Sequence, residues 1–191
     1  YAELLALGVL PFLLLAVRTA ARRGTYASTA WVALACALML LAHNSSAVFC
    51  LPLAAAYGFW HAWTAQEGRR SAAVAAVAGG LTTGLWLSAF YWVPSLLERG
   101  DTLILETFRI RHDPVPHLLW IAQLAKTDWG FGGSWPGPDD GMSFQIGWVH
   151  IAALLGGAAL AAIGPVSARR ETRFWLMAVA AAAFLTLNTS E

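Results

Sequence analysis

Apolar residues occur in long blocks along the chain, and the charged residues cluster between these blocks. The surface helix of a soluble protein would instead interleave polar residues at a period of 3.6. A bilayer core of about 30 Å requires roughly 17–25 mostly apolar residues in a helix that crosses it. We therefore predict an all-α, polytopic transmembrane helix bundle with six spans at 2–17, 28–42, 47–63, 71–93, 144–163 and 174–187.

The second and third spans are separated at the four polar residues His43-Asn44-Ser45-Ser46. Polar side chains without partners at the centre of a bilayer would cost several kcal/mol. A tight hairpin at the membrane surface removes this cost, so the sequence predicts a turn at this position rather than one long helix.

The positions of the basic residues predict the orientation. The short loops 18–25, 64–70 and 164–173 hold eight of the twelve Lys and Arg residues. Short loops rich in Arg and Lys face the cytoplasm. These three loops are therefore predicted to be cytoplasmic, and the His43 turn and the long segment 94–143 to be exterior. The predicted location is the inner (plasma) membrane of a cell, crossed several times.

Composition supports this class of protein. Hydrophobic residues make up 58% of the chain and charged residues 12%, about half the charged share of a soluble domain. Cys36 and Cys50 lie inside apolar spans, which is typical of small buried residues and not of a disulfide framework. The arginines form no basic stripe for nucleic acid. Because Tyr1 opens inside an apolar run, we expect one transmembrane domain over 1–191 that is an internal fragment.

Small residues recur every four positions in the fourth span, at Ala72, Ala76, Gly80, Gly84 and Ser88. Such a stripe lies on one face of a helix and allows two helix backbones to approach closely in lipid. We expect it to pack within the chain; pairing of two copies of the chain is the alternative.

The exterior segment contains the first group of candidate site residues. Asp139 and Asp140 are adjacent, and Trp135 precedes them in a run rich in Gly and Pro. An aromatic face can stack on a sugar ring, and carboxylates can accept hydrogen bonds from its hydroxyls or hold Mg²⁺ or Mn²⁺. The alternatives are an aromatic belt at the membrane surface for Trp135 and ordinary turn chemistry for the aspartates.

Four further residues are substrate-binding candidates. His43 and Asn44 lie at the outer end of two spans, where they could bind a ligand, meet water or cap a helix. Glu98 follows the exit of the fourth span, where it could act as a base or ligand or pair with Arg99. Arg109 could bind a lipid phosphate through its two parallel donors, or remain solvated. The sequence identifies no catalytic residue, and no metal ligand beyond the Mg²⁺ or Mn²⁺ alternative given for Asp139 and Asp140.

The order of motifs resembles a known family. These motifs are Leu41-Ala-His-Asn44, Gly84-Leu-Trp-Leu-Ser-Ala-Phe-Tyr-Trp-Val-Pro-Ser-Leu-Leu-Glu98, Trp129-Gly-Phe-Gly and Asp140-Gly-Met-Ser-Phe-Gln-Ile-Gly147. From about Leu41 to Glu191 the chain is similar to the prokaryotic multi-span proteins called 6-pyruvoyl-tetrahydropterin synthase-related membrane proteins. Their layout is similar to that of the GT-C glycosyltransferases.

The resemblance implies a membrane glycosyltransferase that uses a polyprenyl-phosphate-linked sugar on the outer face. It does not imply pterin chemistry, because the chain has no His triad placed for zinc. The catalytic acid of GT-C enzymes lies in the first exterior loop, which would precede Tyr1, so no catalytic residue is carried over. The alternatives are a transporter or flippase for a lipid-linked glycan, and a structural or assembly subunit.

Overall fold

The computed structural model describes residues 1–103, 118–125, 137 and 142–187. Most of these residues are helical, and the described ranges contain no β-strand; an isolated bridge pairs Leu119 with Leu187. The predicted all-α class is therefore confirmed. The chain divides into two compact units, Tyr1–Asp101 and Thr102–Glu191.

The first unit is a bundle of four helices followed by a shorter fifth one. They are α1 (Ala2–Arg23), α2 (Tyr26–Ala42), α3 (Asn44–Trp63), α4 (Arg70–Leu87) and α5 (Ala89–Leu97), with 3₁₀ turns at Glu67–Arg69 and Glu98–Asp101. Every pair among α1, α2, α3 and α4 is in contact. The connections between them are short, so consecutive helices run antiparallel.

The connection between α1 and α2 is much shorter than the predicted loop 18–25. Helix α1 continues to Arg23 and ends at Gly24, whose left-handed backbone (φ 63°) favours glycine and lets its N–H donate to the Ala20 carbonyl. Thr25 and Ser28 then form a capping box that starts α2. The prediction of a loop from residue 18 is therefore wrong, because these caps extend both helices toward each other.

Close approach of α2 and α4 explains the stripe of small residues. A Cβ atom added at Gly84 would lie 2.5 Å from Cys36 Cβ, and one added at Gly80 would lie 2.6 Å from Val32 Cβ. Ala76 and Ser88 of the same stripe are also buried. The expectation that the stripe packs within the chain is confirmed at these positions, since α2 occupies the face that Gly80 and Gly84 leave open.

A sharp bend separates α4 from α5, so the predicted span 71–93 is wrong as a single straight helix. The two helices differ in direction by 65°. At the bend, Ser88 Oγ donates to the carbonyls of Gly84 (3.0 Å) and Leu85 (3.1 Å). The indole N–H of Trp92 also donates to the Leu85 carbonyl, at 3.0 Å. Side-chain donors thus bind carbonyls at the end of α4 that a continuous helix would pair with backbone N–H groups.

The second unit contains a helical hairpin. Its helices are α6 (Ile121–Ala125), α7 (Trp148–Ile163) and α8 (Val166–Thr186), and α7 packs against α8. Only Gly164 and Pro165 separate α7 from α8. The predicted loop 164–173 and the predicted span starts at 144 and 174 are therefore wrong. Pro165 has an extended backbone (φ −61°, ψ 153°), and α8 begins directly after it and carries Arg169, Arg170 and Arg173 within the helix.

Membrane crossing is supported for one helix by length and hydropathy. Among the described residues, α1 meets both criteria, with a mean hydropathy of 2.1 in its most apolar window. The bent pair Glu67–Leu87 and Ala89–Asp101 meets them when taken together, and α2 and α7 are apolar but shorter. The count of six spans therefore stays a prediction.

Substitution of Gly84 by alanine tests the close approach of α2 and α4. We expect Gly84→Ala to lower the free energy of unfolding in mixed micelles by about 1–3 kcal/mol, because the new methyl group overpacks the contact with Cys36. Gly79→Ala is the matched control on the same helix, since its Cβ would meet only Thr29 Cγ2 at 3.9 Å. The control should be neutral or stabilising by up to ~1 kcal/mol. Equal effects of the two substitutions would contradict this packing.

Candidate functional site

The predicted site residues fall into two groups. Asp139, Asp140, Trp135 and Arg109 lie outside the described residues. His43, Asn44 and Glu98 lie in the first unit. The substrate-binding roles of both groups stay predictions, and the geometry below concerns the second group and the described residues around it.

His43 occupies the predicted hairpin and caps the start of α3. Helix α2 ends at Ala42 and α3 begins at Asn44, so the split between these helices is confirmed. His43 has an extended backbone (φ −162°, ψ 107°), and its Nδ1 accepts a hydrogen bond from the Ser46 N–H at 3.3 Å. Nδ1 also lies 2.8 Å from Ser46 Oγ. One of the N–H groups left over at the start of α3 is thereby satisfied.

This cap assigns the proton of the neutral His43 ring. Because the Ser46 N–H donates to Nδ1, that nitrogen acts as an acceptor, and the ring proton of the neutral form belongs on Nε2. In this form Nδ1 accepts the capping hydrogen bond, and the N–H at Nε2 can donate to another group. Asn44 is exposed, and its Oδ1 accepts from the Ser45 N–H at 2.8 Å. Both side chains thus bind backbone groups of their own turn.

Glu98 lies at the same end of the first unit as His43. Gly80 faces Val32 and Gly84 faces Cys36, so α2 and α4 run parallel and both end toward this side. Helix α5 follows the bend, ends at Leu97, and leaves Glu98 exposed at the start of the 3₁₀ turn. The fold therefore brings a histidine, an amide and a carboxylate to one end of the bundle, at separate positions on that end.

In the second unit, backbone bonds fasten the segment around α6 to the hairpin. The Leu119 N–H donates to the Thr186 carbonyl (2.7 Å), and the Ile146 N–H donates to the Leu124 carbonyl (3.1 Å). These bonds hold α6 at the end of the unit where α7 begins and α8 ends.

Gln123 is a buried polar residue that the sequence analysis missed. Its side chain is 6% exposed, Oε1 accepts from the Trp120 N–H (2.7 Å), and Nε2 donates to the Gly137 carbonyl (3.5 Å). The amide thus links α6 to a glycine two positions before Asp139 in the sequence. The signal was the single amide within the apolar run 118–125.

Two apolar grooves lie between neighbouring helices. The α1–α2 groove has a cavity volume of about 430 Å³ and is lined by Val9, Phe12, Leu15, Ala16, Thr19, Trp31, Leu34, Ala35 and Leu38. The α7–α8 groove has a volume of about 400 Å³ and is lined by Ile146, His150, Ala153, Leu154, Gly157, Thr172, Trp175, Leu176 and Val179. Both linings are almost entirely hydrocarbon, so they can hold an apolar chain but offer few polar groups for chemistry.

The described residues contain no group of three His, Cys, Asp or Glu side chains that could hold a metal ion. Asp139 and Asp140, for which Mg²⁺ or Mn²⁺ binding is the alternative to binding sugar hydroxyls, lie outside those residues. No protein-family model matches the chain, and no curated protein or solved structure matches it. The family resemblance therefore stays a prediction.

Substitutions of His43 test the capping role. We expect His43→Ala to lower the free energy of unfolding by about 1 kcal/mol, since the N–H of Ser46 loses its acceptor. His43→Asn should retain most of the stability because asparagine is an effective N-cap. Urea or detergent unfolding of the two variants measures the difference. A loss of the same size in both variants would show that the ring, and not its acceptor, supports the turn.

Proposed function

We propose that the chain is a multi-span membrane protein that acts on a polyprenyl-phosphate-linked sugar at the exterior surface. The observation that carries the membrane part is the distribution of side-chain size in the first unit. Large apolar side chains face outward, including Phe12 (69% exposed), Trp31 (65%) and Phe49 (78%). Small side chains make up most of the interior, including Ala20, Ala47 and Ala54, which are fully buried together with Leu13 and Met39.

This distribution is the reverse of a water-soluble core. In water, large apolar side chains drive folding by moving inside. In lipid they gain nothing by burial, and small residues at helix contacts allow close packing instead. The bundle of α1–α4 therefore fits a hydrocarbon solvent.

The magnitude can be estimated from α1 alone. Its Leu4, Leu5, Leu7, Phe12 and Leu15 side chains are half to two-thirds exposed. At roughly 2 kcal/mol for full burial of each, water would leave on the order of 6 kcal/mol of burial energy unrealised. That is comparable with the whole stability of a typical domain, about 5–15 kcal/mol. Lipid contact removes this deficit.

The bend between α4 and α5 fits the exterior surface. The 18 residues of α4 extend for about 27 Å, nearly the full hydrocarbon thickness of about 30 Å. If α4 starts at the cytoplasmic surface, the bend at Ser88 falls near the exterior one. Helix α5 then turns along that surface, with Phe90 and Leu97 exposed for lipid contact and Tyr91 and Trp92 at the level of the aromatic belt.

The position of this bend weighs against the transporter alternative. Broken helices in transporters unwind near the middle of the bilayer and present backbone groups to the substrate there. The bend at Ser88 lies at the end of a helix of nearly full thickness, and side chains of Ser88 and Trp92 already satisfy its carbonyls.

The glycosyltransferase part rests on the exterior loop and on the family resemblance. Asp139 and Asp140 would bind sugar hydroxyls or a divalent ion, Trp135 would stack on the ring, and Arg109 would bind the lipid phosphate. Gln123 supports this arrangement, because its bond to Gly137 fixes one point of the same loop. His43, Asn44 and Glu98 remain separate substrate-binding candidates in the first unit.

A structural or assembly subunit is the second candidate. It is favoured because His43 and Asn44 both accept hydrogen bonds from backbone N–H groups of their own turn, which is a structural role. In this case the exterior end would hold a protein partner and the grooves would hold bulk lipid.

Sided cysteine labelling tests the six-span arrangement. In a background of Cys36→Ala and Cys50→Ala, single cysteines would replace the exposed residues Ser45, Gly68, Gly100 and Ser167. In right-side-out vesicles, a membrane-impermeant maleimide should label Ser45→Cys and Gly100→Cys, but reach Gly68→Cys and Ser167→Cys only after detergent is added. Labelling of Gly68→Cys and Ser167→Cys from opposite sides would contradict the arrangement.

Native mass spectrometry of the full chain in mild detergent tests the substrate class. We expect a co-purified polyprenyl phosphate, which should be lost in Arg109→Gln because the phosphate loses its bidentate partner. The double substitution of Asp139 and Asp140 by asparagine should abolish sugar transfer, whereas Asp101→Asn, an exposed acid elsewhere, should leave it unchanged. Bulk phospholipids as the only bound lipids in repeated preparations would contradict the proposal.

A further inference from the structure

The α1–α2 groove continues into a basic surface at one end. Phe12, Leu15, Ala16 and Thr19 line its α1 side. Because residues three and four apart share a helix face, the next positions of this stripe are Arg22 and Arg23, with Arg23 close to its centre. Both are exposed, and they form the last turn of α1.

A third guanidinium reinforces this end of the groove. Arg69 Nη2 donates to the carbonyls of Arg22 (3.0 Å) and Arg23 (3.1 Å). The negative end of the α1 dipole is thereby covered by a cation. An anion that approaches Arg22 and Arg23 therefore meets three positive groups rather than bare helix carbonyls.

The length of the groove matches one leaflet of a bilayer. Its α1 side runs from Val9 to Thr19, eleven residues that extend for about 15 Å. Half of a hydrocarbon core of about 30 Å is the same length. On α2, Trp31, Leu34 and Leu38 line the opposite wall over about 10 Å. One acyl chain of a lipid fits between these walls.

We propose that the α1–α2 groove binds an anionic phospholipid of the cytoplasmic leaflet. Its acyl chain lies between Leu15 and Leu34, and its phosphate binds Arg23 and Arg22. Arginine suits this role because its fork of donors matches two phosphate oxygens. The proposal rests on the membrane embedding proposed above and does not depend on the transferase activity.

The α7–α8 groove provides an internal comparison. It is of similar size and equally apolar, and the stripe of Thr172, Trp175 and Val179 continues backward to Ala168 and Arg169. This stripe therefore leads to one arginine, at its edge, where the α1 stripe leads to two arginines beside the Arg69 guanidinium. We expect this groove to distinguish headgroups less strongly, so substitutions in it control for the general effects of filling an apolar groove.

The test uses the full chain in nanodiscs that contain phosphatidylglycerol and phosphatidylcholine with identical acyl chains. The protein is released from the nanodiscs, and native mass spectrometry counts the lipids that stay bound to it. We expect wild type to retain phosphatidylglycerol preferentially. Arg22→Gln with Arg23→Gln should reduce that preference by about 5- to 25-fold, since each arginine near the surface contributes roughly a fivefold factor. Arg169→Gln with Arg173→Gln removes the same charge near the α7–α8 groove and should leave most of the preference.

Filling the groove tests the acyl part independently. Leu34→Trp should reduce retention of both lipids at this site, whereas Leu154→Trp in the α7–α8 groove should leave the phosphatidylglycerol preference intact. Excess inorganic phosphate should not displace the lipid, because a free ion lacks the chain. Displacement by phosphate would overturn the lipid assignment, and so would an unchanged preference in the Arg22 and Arg23 variant. If the lipid test contradicts the proposal and the sided cysteine labelling also fails, the proposed membrane embedding is wrong. If the labelling succeeds while the lipid test fails, only the lipid site is wrong.

Discussion

The close approach of α2 and α4 is the contact on which the first unit depends. Glycine at positions 80 and 84 allows the α4 backbone to reach the side chains of Val32 and Cys36 on α2. In a hydrocarbon solvent, helices gain little from hiding large apolar groups from lipid, so dispersion contacts between closely spaced backbones must hold them together. The outward position of most large side chains fits the same constraint, since small residues make up most of the interior and Leu13 and Met39 are the largest fully buried side chains.

Much of the first unit could be predicted from sequence because its signals are local. The run of four polar residues at His43 marked the turn, and the four-residue period of small side chains marked the face of α4 that packs. Helix ends were harder to place. Charged residues were assigned to loops, although Arg22, Arg23 and Arg173 belong to helices whose termini are set by caps at Gly24 and Pro165. Charge indicates the aqueous surface but does not end a helix.

The features that sequence reasoning missed depend on contacts between side chains and backbone. The bend after α4 requires Ser88 and Trp92 to bind the carbonyls of Gly84 and Leu85, and no composition signal separates that serine from the rest of the stripe. Gln123 is similar, because an amide in an apolar run can be solvated or buried. The candidate site was predictable only as residue types, because aspartates and tryptophan in a Gly-rich loop do not fix their mutual geometry.

The bonds from Arg69 to the end of α1 have a consequence for the order of assembly during translation. The carbonyls of Arg22 and Arg23 emerge from the ribosome well before the guanidinium that covers them. Until residue 69 is synthesised, these two carbonyls lack this side-chain donor and need solvent or other partners. The third helix is therefore complete before the Arg69 guanidinium can cover the end of the first.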